Sequence, residues 1–328
     1  MKMRKLGING PEVSPISMGS RLIIDDPASL EAAKKQTIQT LQYGIDSGIN
    51  FLNTADFYGM GISELIIGEA IKGRRDKTFI SVKTGALRDH KGHFLGLDGR
   101  PNAIKNFCAY SLTRLGVDEI DLLQPSRIDP DVPIEETVGA IKDLIDEGKV
   151  RYLGLSEANA EQLIRANKVY SVSALEIEYS LATRFIEKEI LPTARELGVS
   201  IVPYSVLNYG LLSGNLEFPL PKGDYRNMLP RFQEENRAHN LQLIEFLKDM
   251  AGQKNVSASQ LALAWALHQG EDIIPIVGMS KPQRVDENIA ALCIEFSPEE
   301  MNLLNTTFAI DAMKGDRYPA ALQKMVAS

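Results

Sequence analysis

An aspartate, a tyrosine and a lysine stand at or just past the ends of two successive apolar runs in this chain. The first stretch reads Asn50-Phe51-Leu52-Asn53-Thr54-Ala55-Asp56-Phe57-Tyr58-Gly59, and the second Phe79-Ile80-Ser81-Val82-Lys83-Thr84-Gly85. A phenol is a poor acid at neutral pH, with a free pKa of about 10. A nearby ammonium favours phenolate, and a carboxylate can hold that ammonium in place. Asp56, Tyr58 and Lys83 are thus the residue types that a proton donor for carbonyl reduction needs. Asp56 and Tyr58 are two apart, so in extended chain they project to one side. The same residues also admit a structural reading, in which Asp56 and Lys83 form a buried ion pair and Tyr58 is a rim aromatic. The apolar surroundings raise the cost of burying those charges without a purpose.

The elements that must position these residues follow from the apolar pattern. Strands are expected at 14–18, 51–55, 79–83, 120–124, 152–155, 174–177, 201–204 and 273–277. Most are nearly continuous apolar runs, as strands buried on both faces should be. A hairpin precedes them, from Met3 to Leu6 and Glu12 to Val13 around Gly7-Ile8-Asn9-Gly10-Pro11. Helical stripes lie between the strands: Leu30, Ile38, Leu41 and Ile45 before Gly48, then Val138, Ile141, Leu144 and Ile145 before Gly148. Pro192 is expected at a first helical position, with Gly198 closing that helix. Two more helices are expected at 231–250 and 257–268. Strands alternating with helices in one undivided domain of 328 residues fit an α/β fold, a (β/α)8 TIM barrel. Active sites of such barrels lie at the C-terminal strand ends. That rule selects Asp56, Tyr58, Lys83, Ser126, Ser156, Glu176, Tyr204 and the segment from Gly278 onward. The stretch 208–230, rich in Gly and Pro, reads as a mobile functional loop, and 84–100 as a second lid. His90 and His93 in the latter lack an evident third metal ligand, so a solvated loop is expected there.

Composition narrows the function classes. The net charge is −7, without a basic tail, which disfavours nucleic acid. No apolar run reaches the roughly eighteen residues of a membrane span. Met1-Lys2-Met3-Arg4-Lys5-Leu6-Gly7 lacks the apolar segment of a signal peptide, so a cytoplasmic protein is expected. Cys108 and Cys293 read as two buried thiols in a reducing compartment. There is no Gly-x-Gly-x-x-Gly, so a Rossmann site is not indicated.

The motifs, taken in order, resemble the aldo-keto reductase superfamily over nearly the whole chain. They are Asn53-Thr54-Ala55-Asp56-Phe57-Tyr58-Gly59 with Ser63-Glu64, Ser81-Val82-Lys83-Thr84, and Asp129-Pro130-Asp131-Val132-Pro133-Ile134-Glu135-Glu136-Thr137. They continue with Gly154-Leu155-Ser156-Glu157, Glu178-Tyr179-Ser180-Leu181, Tyr204-Ser205 and Pro275-Ile276-Val277-Gly278. The resemblance implies a (β/α)8 barrel whose N-terminal hairpin covers the bottom. It also implies an NADPH-dependent oxidoreductase acting on small carbonyl compounds and alcohols through an Asp, Tyr, Lys and His tetrad. The first three carry over to Asp56, Tyr58 and Lys83, with Tyr58 protonating the substrate oxygen, Lys83 beside it and Asp56 orienting Lys83. Moving a phenol from about 10 towards 7 needs roughly 4 kcal/mol, about what one close ammonium supplies at an effective dielectric near 20.

The fourth position departs. The chain reads Gln124-Pro125-Ser126-Arg127-Ile128-Asp129-Pro130, which puts Ser126 where the family has His. A lost donor to a reacting oxygen can cost about 10²–10³ in rate, so weakened or narrowed carbonyl reduction is expected. Arg127 either points into the mouth or pairs with Asp129 or solvent. For the cofactor, the resemblance implies Arg284, Glu287 and Asn288 at the adenosine end, with Arg284 beside the 2′-phosphate and Lys281 adding charge. Gly278 and Ser280 begin that segment. It implies Tyr204 stacked on the nicotinamide, and Ser156 with Glu157 and Glu176 at the carboxamide. The resemblance likewise implies Gly19, Ser20, Asp56 and Ser205 on the same cofactor surface, and Leu207, Ser213 and Gly214 in the loop over the pyrophosphate. The Ser126 departure leaves a second reading open, a regulatory protein that binds NADP(H) and senses its redox state. An isomerase using Lys83 as a Schiff base is the remaining alternative. Arg88, Arg127 and Arg226 are candidate anion contacts for a substrate.

Overall fold

The structure, a computed structural model, describes residues 1–20 and 30–327. In chain order, β1 (Arg4–Lys5) and β2 (Glu12–Val13) precede β3 (Ser17–Gly19), α1 (Leu30–Asp46), β4 (Phe51–Ala55), α2 (Ile62–Ala70) and β5 (Phe79–Thr84). After β6 (Ala86–Arg88) and β7 (Phe94–Leu97) come α3 (Pro101–Leu115), β8 (Ile120–Pro125), α4 (Ile134–Asp146), β9 (Val150–Ser156), α5 (Ala160–Val169) and β10 (Val172–Glu178). The chain continues through α6 (Ile190–Glu196), β11 (Ser200–Tyr204), α7 (Glu234–Gln253), α8 (Ala258–Leu267), β12 (Ile276–Gly278), α9 (Pro282–Ala290), α10 (Pro298–Thr307) and α11 (Ala320–Gln323).

The expected strands are all present. Eight of them form one parallel sheet in the order β11-β10-β9-β8-β5-β4-β3-β12. A parallel bridge between Ile201 and Ile273 draws the two sheet ends together, with the Ile274 N–H donating to the Ile201 carbonyl at 2.9 Å. This is a (β/α)8 barrel.

Alternate residues of each strand face the interior. At the bottom, Phe51, Phe79, Leu122, Ala174, Val202 and Ile274 pack with Leu6 and Val13 of the hairpin, all buried. Phe51 and Phe79 meet edge to face at 5.1 Å. The hairpin therefore plugs the barrel floor. One step up β4, β5, β8 and β10 the interior turns polar, with Asn53, Ser81, Gln124 and Glu176 all buried. A second apolar shell lies between barrel and helices. Ile38, Leu41 and Ile45 of α1 belong to it, as do Val138, Ile141, Leu144 and Ile145 of α4. The side chain of Leu30 lies outside the described residues.

Several expectations need correction. Pro192 is the third residue of α6, not the first, though still within the turn whose N–H groups lack helical partners. The stretch 84–100 is not a plain solvated loop: β6 and β7 pair antiparallel within it. Cys108 is buried but Cys293 is exposed. Among the described residues, no helix is long and apolar enough to cross a membrane.

Candidate active site

Lys83 is the centre of the site. Its side chain is 4% exposed, and its ammonium donates to Asn53 Oδ1 at 2.6 Å and contacts Glu176 Oε1 at 2.9 Å and Oε2 at 3.2 Å. Asn53 Nδ2 and Gln124 Nε2 donate to the same Glu176 carboxylate at 2.8 and 2.7 Å. Burial alone would lower the Lys83 pKa. The Glu176 charge, Tyr58 and the hydrogen bond to Glu176 together outweigh burial and the opposing Arg127, so the ammonium is held above its ordinary value. The ammonium also lies 5.3 Å from the centre of the Tyr58 ring.

Asp56 does not orient Lys83, contrary to the expectation. Strand register gives the reason. Lys83 lies opposite Ala55 across the β4–β5 pair, and the Asp56 N–H donates to the Lys83 carbonyl at 3.0 Å. The next pair up is Asp56 with Thr84, and the Thr84 hydroxyl donates to Asp56 Oδ2 at 2.6 Å. Successive residues of a strand face opposite ways, so Asp56 shares its face with Thr84 while Lys83 faces the interior with Asn53. The other Asp56 oxygen, Oδ1, is buried without a protein partner. Burial first, then Glu64, pushes the Asp56 carboxyl up to about 7, against the pull of Thr84 and Arg114.

Tyr58 follows the strand in a tight turn whose next three residues, Gly59, Met60 and Gly61, have φ of 56°, 55° and 93°. That left-handed run turns the chain back over the barrel mouth, and glycine takes it without steric cost at two of the three places. Phe57 meets Tyr58 edge to face at 5.1 Å, and the Arg88 guanidinium from the β6–β7 hairpin lies 5.1 Å from the Phe57 ring centre. The hairpin is thus a wall beside Tyr58.

Ser126, at the end of β8, is 3% exposed, and its Oγ has no protein partner. Its neighbour Arg127 does not pair with Asp129, which accepts the N–H groups of Gly99 and Asp131. Arg127 turns to the mouth, donating to the Ser126 carbonyl at 2.6 Å and to Ser156 Oγ at 3.4 Å. Burial works against its charge, but Tyr204, Glu157, Tyr318 and Glu176 together hold its pKa above the usual arginine value.

Two of the residues expected at a carboxamide have other partners. Glu176 holds Lys83. Glu157 accepts from Tyr204 OH at 2.7 Å, Arg317 Nη2 at 2.8 Å and the Glu178 N–H at 3.1 Å, and its second oxygen takes the Ala327 N–H at 3.0 Å. Tyr204 is drawn into the same network, 3.0 Å from the Tyr318 hydroxyl. Arg317 also bridges Glu178 at 3.0 Å. Nothing in the local sequence pointed to Arg317, Tyr318 and Ala327, which reach the mouth from the C-terminal end of the chain. Asn53 and Gln124 were also missed, although inward alternation from Phe51 and Leu122 marks both.

The remaining cofactor candidates gather on the rim. Ser20 Oγ lies in a hydroxyl cluster, donating to the Asn53 carbonyl at 3.0 Å and sitting 2.9 Å from Ser63 Oγ, with Gly19 just before it at the end of β3. Past β11, Ser205, Asn208 and Tyr209 have φ of 55°, 47° and 54°. Ser205 Oγ and both amide atoms of Asn208 are buried without protein partners. Ser213 donates to the Gly210 carbonyl at 2.6 Å, and Gly214 takes a left-handed φ of 70°. Gly278 ends β12, and the Ser280 carbonyl accepts from Gln36 at 2.8 Å. At the start of α9, Lys281 and Arg284 are exposed, Arg284 pairs with Glu287, and Asn288 is buried. Arg226, a candidate anion contact, is clasped by Asp224 at 2.6 Å.

Known proteins place this arrangement in context. A soybean (Glycine max) protein named probable aldo-keto reductase 1 is 39% identical over 319 residues, covering 96% of this chain and 91% of the relative. The glycerol dehydrogenase structure from Gluconobacter oxydans superposes with a TM-score of 0.84 at 29% identity, over 94% of this chain and 95% of that one. A Klebsiella pneumoniae aldo/keto reductase solved with NADP and acetate has the same fold, with a TM-score of 0.76 at 24% identity, over 97% of this chain and 99% of that one. The Aldo/keto reductase family profile matches residues 16–307. With the barrel, the strand-end chemistry and these likenesses together, the chain belongs to the aldo/keto reductase family.

Proposed function

We propose that this protein is an NADPH-dependent oxidoreductase that reduces aldehydes or ketones to alcohols. The observation that carries the reading is the Lys83 ammonium, buried at the barrel mouth 5.3 Å from the Tyr58 ring centre. Tyr58 is the proton donor to the substrate oxygen. Lys83 places a positive charge beside the phenol whose oxygen becomes negative once that proton leaves. Ser126 Oγ, which has no protein partner, is free to donate a second hydrogen bond to the same oxygen.

The unpartnered Ser205 and Asn208 atoms fit a polar ligand lying against the end of β11. Family membership makes a nicotinamide dinucleotide the candidate for that ligand, and the Klebsiella relative was solved with NADP. Bound NADPH would supply the hydride that reaches the carbonyl carbon. Ser156 and Tyr204 are assigned to its nicotinamide end, the segment with Ser205, Leu207, Ser213 and Gly214 to its pyrophosphate, and Lys281, Arg284 and Asn288 to its phosphorylated adenosine end. Arg284, already exposed, exchanges Glu287 for the 2′-phosphate in this assignment.

The test is steady-state NADPH oxidation against a panel of small aldehydes, with wild type and Tyr58→Phe in parallel. We expect turnover that drops at least about 10²-fold in Tyr58→Phe, the loss typical of a removed general acid. Equal turnover in the two proteins would sink the mechanism. Tight NADPH binding without turnover on any aldehyde would favour a redox sensor instead.

A further inference from the structure

We propose that Glu176, and not Asp56, is the carboxylate that positions and neutralises Lys83, with Asn53 as its second anchor. The inference deepens the reductase reading and rests on it for its kinetic arm. Glu176 meets the ammonium at 2.9 and 3.2 Å, and both side chains are buried, 5% and 4% exposed. A buried ion pair survives only with good geometry and its remaining hydrogen-bonding groups satisfied. Both conditions are met here. Asn53 bridges the pair, its oxygen accepting from Lys83 and its amide nitrogen donating to Glu176. Gln124 donates to the same carboxylate and to Ser81 Oγ, at 2.7 and 3.1 Å. The interior layer of β4, β5, β8 and β10 is thus built around one ion pair.

Asp56 is unavailable for this role because β4 presents it on the face it shares with Thr84. The titratable groups that bear on Lys83 are Glu176 from β10, Tyr58 from the turn after β4 and Arg127 from the end of β8. Removing the Glu176 charge leaves a buried ammonium facing Arg127, with only a neutral amide as anchor. The charged state of Lys83 is then lost at lower pH, because an opposite charge at this range favours the charged form.

Two measurements test the assignment, and they fail independently. In the first, the alkaline limb of the kcat/KM profile for NADPH-dependent reduction should move down by about 1–3 pH units in Glu176→Gln. It should stay in place in Asp56→Asn, whatever that variant does to the rate. In the second, thermal unfolding of the full chain is followed through two double-mutant cycles, Lys83→Met with Glu176→Gln and Lys83→Met with Asp56→Asn. We expect Glu176→Gln to lower the melting temperature by roughly 5 °C or more, and Lys83→Met to recover much of that loss. Asp56→Asn should be additive with Lys83→Met. A Glu176→Gln chain that folds only when Lys83→Met is added reports the same pairing. An alkaline limb that moves in Asp56→Asn and not in Glu176→Gln, or unfolding that couples Lys83 to Asp56 alone, overturns the proposal. The unfolding cycles need no turnover, so an inactive protein would sink the reductase reading and leave this assignment open to its own test.

Discussion

Residue type and position carried different amounts of information at this site. Tyr58 and Lys83 were legible because a phenol and an ammonium at neighbouring strand ends have few shared uses. The third member was misread because Asp56 is near Lys83 in the chain pattern but one step out of phase with it. Counting inward positions from Phe51 and Phe79 would have picked Asn53 and Lys83, and from Ala174, Glu176. Asp56 then acquires a stability signature of its own. Its carboxyl is pushed up to about 7 by burial, whereas an unfolded chain releases that proton near 4. The fold therefore favours the protonated acid. Its contribution is fully present below about pH 4 and is lost as pH rises towards 7, by up to about 4 kcal/mol. Asp56→Asn keeps a neutral side chain at every pH. We expect it to melt above wild type at pH 8 and to show no such gain at pH 4, as unfolding scans at the two pH values will report. Ser126 gives a complementary test. Its Oγ has no protein partner to lose, so Ser126→Ala should leave the melting temperature close to wild type. If that hydroxyl serves the substrate oxygen, kcat/KM should fall about tenfold or more.

Elements were legible where their apolar pattern was continuous. The expected strand 51–55 coincides with β4, and others differ by one to three residues at their ends, as with 120–124 against Ile120–Pro125 and 273–277 against Ile276–Gly278. The helix expected at 257–268 is present as α8, and Ser257 and Gln260 bond reciprocally at its N-terminus. The β6–β7 hairpin was missed because its strands are short and polar residues and glycines interrupt them, leaving no alternation to count. Its two strands pair with each other, Arg88 lies over the Phe94 ring across the pair, and the same guanidinium reaches the Phe57 ring outside the hairpin. The N-terminal hairpin shows how an element remote from the site still governs the barrel. Leu6 is fully buried against the Phe51 and Phe79 layer. Gly7 after it has φ +73°, and a Cβ there would meet the Ser173 carbonyl oxygen at 2.5 Å, so the approach of hairpin to barrel is close. Leu6→Ala opens a cavity under the polar interior layer. We expect it to cost roughly 2–5 kcal/mol in denaturant unfolding. Because the floor makes none of the contacts at the mouth, KM for the aldehyde should change little.

At the scale of the whole molecule, the last twenty or so residues bind the mouth together, and no pattern in the sequence announced it. The family profile ends at residue 307, before this tail begins. The contacts it makes are also remote, Arg317 meeting a glutamate 160 positions earlier. From its buried position Arg317 bridges Glu157, at the end of β9, and Glu178, at the end of β10, and donates to the Ala327 carbonyl at 2.9 Å. Tyr318 beside it accepts from Tyr209 OH at 2.9 Å and lies against Tyr204 OH. One guanidinium thus ties two strand ends and the chain terminus across the face assigned to the nicotinamide. Its removal leaves two buried carboxylates short of their main counter-charge, although Arg231 stays 3.6 Å from Glu178. Breaking such a buried network typically costs about 3–5 kcal/mol. Lysine cannot substitute, because its ammonium lacks the fork that spans both carboxylates and the Ala327 carbonyl. We expect Arg317→Ala and Arg317→Lys both to lower the unfolding free energy and to expose the segment after residue 310 to limited proteolysis, with the lysine variant the milder of the two. A tail that stays protease-resistant in Arg317→Ala would mean that the tyrosine contacts hold it without the ion pairs. If NADPH seats behind the tail, added cofactor should slow the cleavage in wild type and far less in Arg317→Ala, since a released strap no longer closes over the bound ring.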